Sequence, residues 1–253
     1  MYNSITVSAQ LLVLADRLGF GKICSGENAD KRYRHFTARP QLYAMMIAQL
    51  TGQKGLRTIE ETIASDNDLY HAGVSTHITR TNLAHANEKR PCGVFQKFYF
   101  HLVEHYKFLC GRGSRKEMKN LKLIDATTIS LNMNDFGWVK FRSTKGGIKI
   151  NTRFDYDLDC ADYLFITNAN RGQSENAVKT QVWIALIVHL LFLILKAETR
   201  QNNRTFSSFC TEISVVLFKH RNLEKWFARN YEKSPPKLPP DKNSLWLFDD
   251  LAC

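Results

Sequence analysis

Few of the patterns that mark common chemistries occur in this sequence. Its six cysteines, Cys24, Cys92, Cys110, Cys160, Cys210 and Cys253, form no C-x-x-C pair and are too scattered for zinc-ligand spacing. They read as free thiols of a reducing compartment. There is no nucleotide-binding glycine loop and no G-x-S-x-G elbow, so neither a nucleotide partner nor serine-hydrolase chemistry is expected. H-E-x-x-H is missing too; His101 and His105 share a helix face, but in an aromatic-rich helix that reads as packing. The first residues have neither the basic nor the long apolar region of a signal peptide. The longest apolar run, 182–195, is shorter than the roughly 20 residues a span needs and contains His189, so a buried core helix is expected and no membrane partner.

Acidic residues are also in short supply. Lys and Arg number 35 against 24 Asp and Glu, a net charge of +11. That excess favours a polyanionic partner such as nucleic acid. At 253 residues the chain can bury a sizeable core.

The chain opens with helical patterns. Residues 4–19 form an amphipathic helix that Ser4 could cap and Gly19 would stop. Residues 22–39 are polar and basic, with Lys31, Arg32, Arg34 and Arg39 interleaved with Tyr33, His35 and Phe36. Such a mixture suits phosphate and base contacts; it also suits a solvated loop with an aromatic or two packed inward. A helix opens at Pro40, another covers 55–65, a third 79–90, and an aromatic helix runs up to Cys110. Residues 1–110 thus read as a helical, basic module able to present a helix to a DNA groove. A polar connector, 111–120, follows.

The composition then changes. LKLIDATTISL (121–131) has the character of a buried strand, 148–157 reads as a second strand and 161–167 as a third, an antiparallel meander. A helix apolar almost all round begins near Ser174, and one further helix covers 206–231. A proline-rich linker and short tail occupy 234–253. The fold class is α+β, mostly α.

Asp125 is the main chemical candidate. A carboxylate at the end of a core strand is costly unless it has a partner, and metal ligation is one use. The plain alternative is a carboxylate bonded to the neighbouring Thr127 or Thr128. Asp155, Asp157, Asp159 and Asp162 could cluster round a metal; a strand end entering a solvated hairpin explains them more simply.

LIDATTISL followed by FGWVKFRSTKGGIKINTRFDYD resembles the first catalytic block of IS4-family insertion-sequence transposases. RHFTARPQLYAMMIAQLTGQKGLRTIEETI and LYHAGVSTHITRTNLAHANEKR are similar to the helical domain that precedes it in that family. SENAVKTQVWIALIVHLLFLIL looks like the helix after the catalytic glutamate. The resemblance implies a partial RNase H-like core over 111–233, with Asp125 as the first acid of a D-D-E triad and a ligand of Mg²⁺. It implies support from Thr127, Thr128, Lys145 and Lys149, and DNA cleavage and strand transfer at transposon ends in the bacterial cytoplasm. DNA contacts are expected at Lys31, Arg32, Arg34, Arg39, Arg57, Arg80, Lys145 and Lys149. The chain departs from the family's pattern at residues 170–171, where the blocks carrying the second aspartate and the glutamate are missing. Glu175 matches the helix after the glutamate, not the catalytic position. Two-metal chemistry needs carboxylates from several elements, so an inactive transposase is expected. A DNA-binding or dominant-negative fragment acting on full-length transposase is the alternative.

Overall fold

The computed structural model describes residues 5–66, 70, 74, 77–110, 121–131, 146–156, 160–167, 173–201 and 204–232. Its first half is helical: α1 (Val7–Arg17), α2 (Phe20–Gly26), α3 (Ala38–Thr51), α4 (Leu56–Ala64), α5 (Arg80–Lys89) and α6 (Gly93–Cys110). A three-stranded antiparallel sheet follows, β1 (Lys122–Leu131), β2 (Gly146–Asp155) and β3 (Cys160–Thr167), in the order β1-β2-β3. Helices α7 (Gln173–Glu198), α8 (Phe206–Val215) and α9 (Leu223–Glu232) close the described chain. The mostly helical α+β composition and the meander agree with the sequence. The connector 111–120, the junction at 170–171 and the tail 234–253 lie outside the described residues.

Local chemistry sets the helix ends. Thr6, not Ser4, caps α1, accepting from the Ala9 amide at 3.4 Å. Thr79 caps α5 and Thr205 caps α8 in the same way, at 3.2 and 3.3 Å. Gly19 adopts φ 97° between α1 and α2, and a Cβ there would meet His101 Nε2 at 3.2 Å, so the turn and the close approach both call for glycine. Two expectations change. The basic segment 22–39 is not all loop, because Ile23 and Cys24 let α2 dock through Phe20 onto Phe95 and Phe98 of α6. The single helix expected over 206–231 is two, split where Leu217 and Lys219 turn to bond the backbone of α1.

One hydrophobic cluster joins α1–α6 to α7–α9 and reaches the sheet through Ile150, Cys160, Leu164 and Ile166. Helix α7 is its axis, packed against α6, α5, α3, α1 and α8. Apolar residues on every side of α7 follow from having neighbours on every side. Trp183 sits between Tyr99 and Phe100 of α6, with both centroids at 5.7 Å. Fully burying one such aromatic contributes about 2–3 kcal/mol. The helix is longer than its apolar run, and Glu175–Glu198 is long and apolar enough to cross a membrane; 67% of its most apolar window is buried inside this molecule.

Polar side chains lock the same body together. Asn176, at the start of α7, donates to the carbonyls of Asn87 and Arg90 at 2.8 and 2.7 Å and accepts from the Cys92 amide at 3.0 Å. Buried Asp66 accepts from Ser8 at 2.7 Å and from the Tyr43 hydroxyl, fastening the end of α4 to α1 and α3. These bonds satisfy groups that would otherwise cost about 1–3 kcal/mol each to bury.

Candidate catalytic strand and nucleic-acid surface

Strand β1 carries Asp125. It pairs with β2 in unbroken antiparallel register, Asp125 opposite Thr152 and Ile124 opposite Arg153. Among the described residues no strand pairs with its other edge. The expected buried strand is in fact open to solvent: residues 121–127 are all exposed, Ile124 at 84%. The apolar run predicts a two-sided burial that the sheet does not supply: α6 packs on it at β3, and even there Tyr163 and Phe165 are exposed at 52% and 55%. Asp125 Oδ2 accepts from Thr127 Oγ1 at 2.8 Å, a local bond between two side chains on one face of one strand.

The other acids do not join Asp125. Asp155 is buried and pairs with Lys122, opposite it in the register. Asp162 is the unpaired residue of a bulge between β2 and β3, and the bulge aims its carboxylate at cations on two strands. Arg153 Nε and Nη2 donate to its two oxygens at 2.8 and 3.1 Å, and Lys122 Nζ lies 3.4 Å away. Burial alone would raise the Asp162 pKa; the hydrogen bonds and charges of Arg153 and Lys122 outweigh it and hold the carboxyl below its ordinary range. For Lys122, desolvation is overcome by Asp155 and Asp162, and its pKa rises. This is a neutralised lattice across three strands. Glu175 is ion-paired within α7 to Lys179 at 2.6 Å. Among the described residues, no group of three His, Cys, Asp or Glu could hold a metal ion. Asp157 and Asp159 lie outside the described residues, as does Lys145. The donor set round Asp125 therefore does not fit a two-metal centre.

The candidate DNA-contacting cations separate into kinds. Lys31, Arg32, Arg34, Arg57, Arg80 and Lys149 are exposed. Arg39 pairs with Asp16 and holds α1 to α3. Tyr33 and Phe36 turn inward, as a loop with packed aromatics would. No sequence pattern singles out what they pack round: Arg90, at 0% exposure, the largest fully buried side chain. Its Nε donates to the Ala29 carbonyl at 3.4 Å, and Nη2 to that of Phe36 at 2.6 Å. Nη1 donates to Gln41, Asp30 lies 3.3 Å from Nη2, and the Tyr33 ring lies 4.1 Å below the guanidinium carbon. Desolvation lowers the Arg90 pKa, opposed first by Asp30. Asp30 also accepts from the Ala38 amide at 2.7 Å and so starts α3. An arginine before a proline gives no hint of this; its partners lie about 50–60 residues upstream.

Comparison with known proteins adds two similarities. Residues 3–75 match the family described as Domain of unknown function (DUF4372). A protein of Sinorhizobium fredii (strain NBRC 101917 / NGR234) named Putative transposase y4zB is 36% identical over 97 residues, 37% of this chain. No solved structure matches the chain significantly. The aligned part is 25% of that relative's length, so the chain spans about a quarter of it, and over that part this chain is transposase-like.

Proposed function

We propose that the chain is an IS4-type, D-D-E-derived transposase protein that binds DNA without carrying out cleavage. Its sheet is the front of an RNase H-like core whose first acid is Asp125. The observation that carries the reading is that, among the described residues, Asp125 belongs to no group of acids able to hold a metal, in a chain that is transposase-like over 97 residues. Its carboxylate accepts from Thr127, and the acids of the neighbouring strands, Asp155 and Asp162, are neutralised by Lys122 and Arg153. Positioned carboxylates do most of the work in two-metal phosphoryl transfer, so one carboxylate leaves nothing to hold the second ion.

The test is nicking of supercoiled plasmid by the purified chain with and without Mg²⁺. The expected result is no Mg²⁺-dependent nicking by the wild type or by Asp125→Ala. Nicking that disappears in Asp125→Ala would overturn the inactive assignment. A regulatory role, in which the chain occupies transposon ends or joins full-length transposase, is favoured by the outer edge of β1, which no strand among the described residues pairs with. Its measurement is inhibition of a full-length transposase by the added chain.

A further inference from the structure

This inference rests on the DNA-binding reading above and names the surface. We propose that the outward face of α5 meets duplex DNA, with Arg80, Thr81 and His85 toward base edges and Lys31, Arg32 and Arg34 gripping phosphates beside it.

The helix turns 100° per residue, and α5 buries Leu83, Ala86 and Asn87. Residues 81, 85 and 88 fall on the opposite side, with 80 and 84 at its margins, and 80, 81, 84 and 85 are exposed. Thr81 and Ala84 are small, so the backbone can come close to a groove floor, while Arg80 and His85 carry the donors that read bases. A helix of this width fits a major groove about 12 Å across.

The basic loop is not an independent, solvated charge run. Tyr33 stands between Arg90, at 4.1 Å, and His85 on α5, whose ring centroid is 6.1 Å away. The buried guanidinium holds the carbonyls of Ala29 and Phe36 on either side of the loop. The cations are therefore presented at a set place beside α5, and less entropy is lost when they engage. Neither 31–39 nor 79–87 contains an acid; Glu88, next on the same face of α5, is paired with Lys89 at 3.2 Å, and Glu60 accepts from the Arg80 amide at 3.2 Å. Asp30, just before, faces Arg90 and the Ala38 amide. Among the described residues Lys31, Arg32 and Arg34 carry no ion pair, whereas Arg17, Arg39, Lys97 and Arg204 do.

The chemistry favours a duplex over other polyanions. Single strands are held by stacking on open aromatic faces, and Tyr33 is already engaged by Arg90 and His85. A lipid surface needs exposed large apolar groups, and the exposed positions of α5 carry none.

The experiment is fluorescence anisotropy with the full chain. The probes are a duplex of the DNA flanking its own coding sequence, a scrambled duplex, and one strand of each. Lys31→Ala/Arg32→Ala/Arg34→Ala should weaken binding to both duplexes about 10-fold or more and flatten the salt slope by roughly 2–3. Arg80→Ala/His85→Ala should cut the preference for the flanking duplex about 10-fold and leave scrambled binding nearly intact. Lys219→Ala/Lys225→Ala, on and before α9, should change neither. Melting temperature monitors folding, and the single Arg32→Gln replaces the triple variant if that variant melts early. Wild-type affinity and slope in the loop variants, an equal loss in the α9 variant, or tighter binding of single strands would overturn the proposal. If the wild type binds neither duplex, the DNA-binding reading itself fails.

Discussion

Asp162 is held between cations of two strands, Lys122 and Arg153. Its place at the hairpin is plain in the run of acids, and so is the choice between metal ligand and strand end. What the run does not reveal is the bulge, which removes its register partner and turns the carboxylate toward Lys122 and Arg153. A pKa lowered on folding has a definite sign. The stabilisation is fully present above the unfolded carboxyl value, about 3.9. It is lost as pH falls through the lower folded value, where the native state must also take up the proton. Asp162→Asn should therefore remove part of the acid-side loss of stability and leave a lower, flatter profile below about pH 4. Urea unfolding of both proteins across that window measures it; parallel profiles would reject the assignment. Arg90 is legible in no respect. Its burial comes from tertiary context, and its partners belong to a segment whose composition suits a solvent-facing loop.

At the level of elements, patterns of long period are the easiest to read. The apolar patterns of α3, α4 and α6 and the capped start of α5 identify all four, and the strand-like segments at β2 and β3 identify the meander. Strand β1 is recognisable as a strand, but its composition points to the wrong surroundings. An apolar run specifies what a strand needs and does not show whether the chain supplies it. Leu123 and Ile124 stay exposed on an edge with no pairing partner among the described residues, an arrangement that invites strand addition. Ile124→Thr should leave the melting temperature within about 2–4 °C, because little area is uncovered, and should slow concentration-dependent aggregation. Light scattering during a thermal ramp gives both values. A large drop in melting temperature would mean that Ile124 packs in the native state.

For the whole molecule, the sequence suggests a helical module, a connector and then a second body. The division follows composition, which changes abruptly near residue 111, whereas packing crosses it. Asn176 bonds to residues 84–89 positions earlier, Arg17 pairs with Glu198, and the Gln10 side chain bonds to Arg221. Burial of α7 by α1, α3, α5 and α6 supplies much of the shared core. A fragment of residues 1–110 should then keep helical circular dichroism while losing a sharp, cooperative melt, the behaviour of a loosely packed state. A cooperative transition close to that of the full chain would show that the first six helices are self-sufficient. Catalytic competence is set at this scale as well, since it needs carboxylates brought from distant segments. Among the described residues, Asp155, Asp162 and Glu175 are each engaged in ion pairs.

The position of α7 late in the chain also bears on biosynthesis. The six helices made first leave the ribosome with their largest apolar seat vacant. It stays vacant until roughly 90 further residues, including β1 with its outer edge unpaired among the described residues, have emerged. At about 5–20 residues per second that is a wait of several seconds. During it, nascent chains on one messenger hold bare helix faces and strand edges near one another. The yield of folded protein should therefore be governed by chaperone capacity and translation speed between residues 110 and 198 as much as by the stability of the finished molecule.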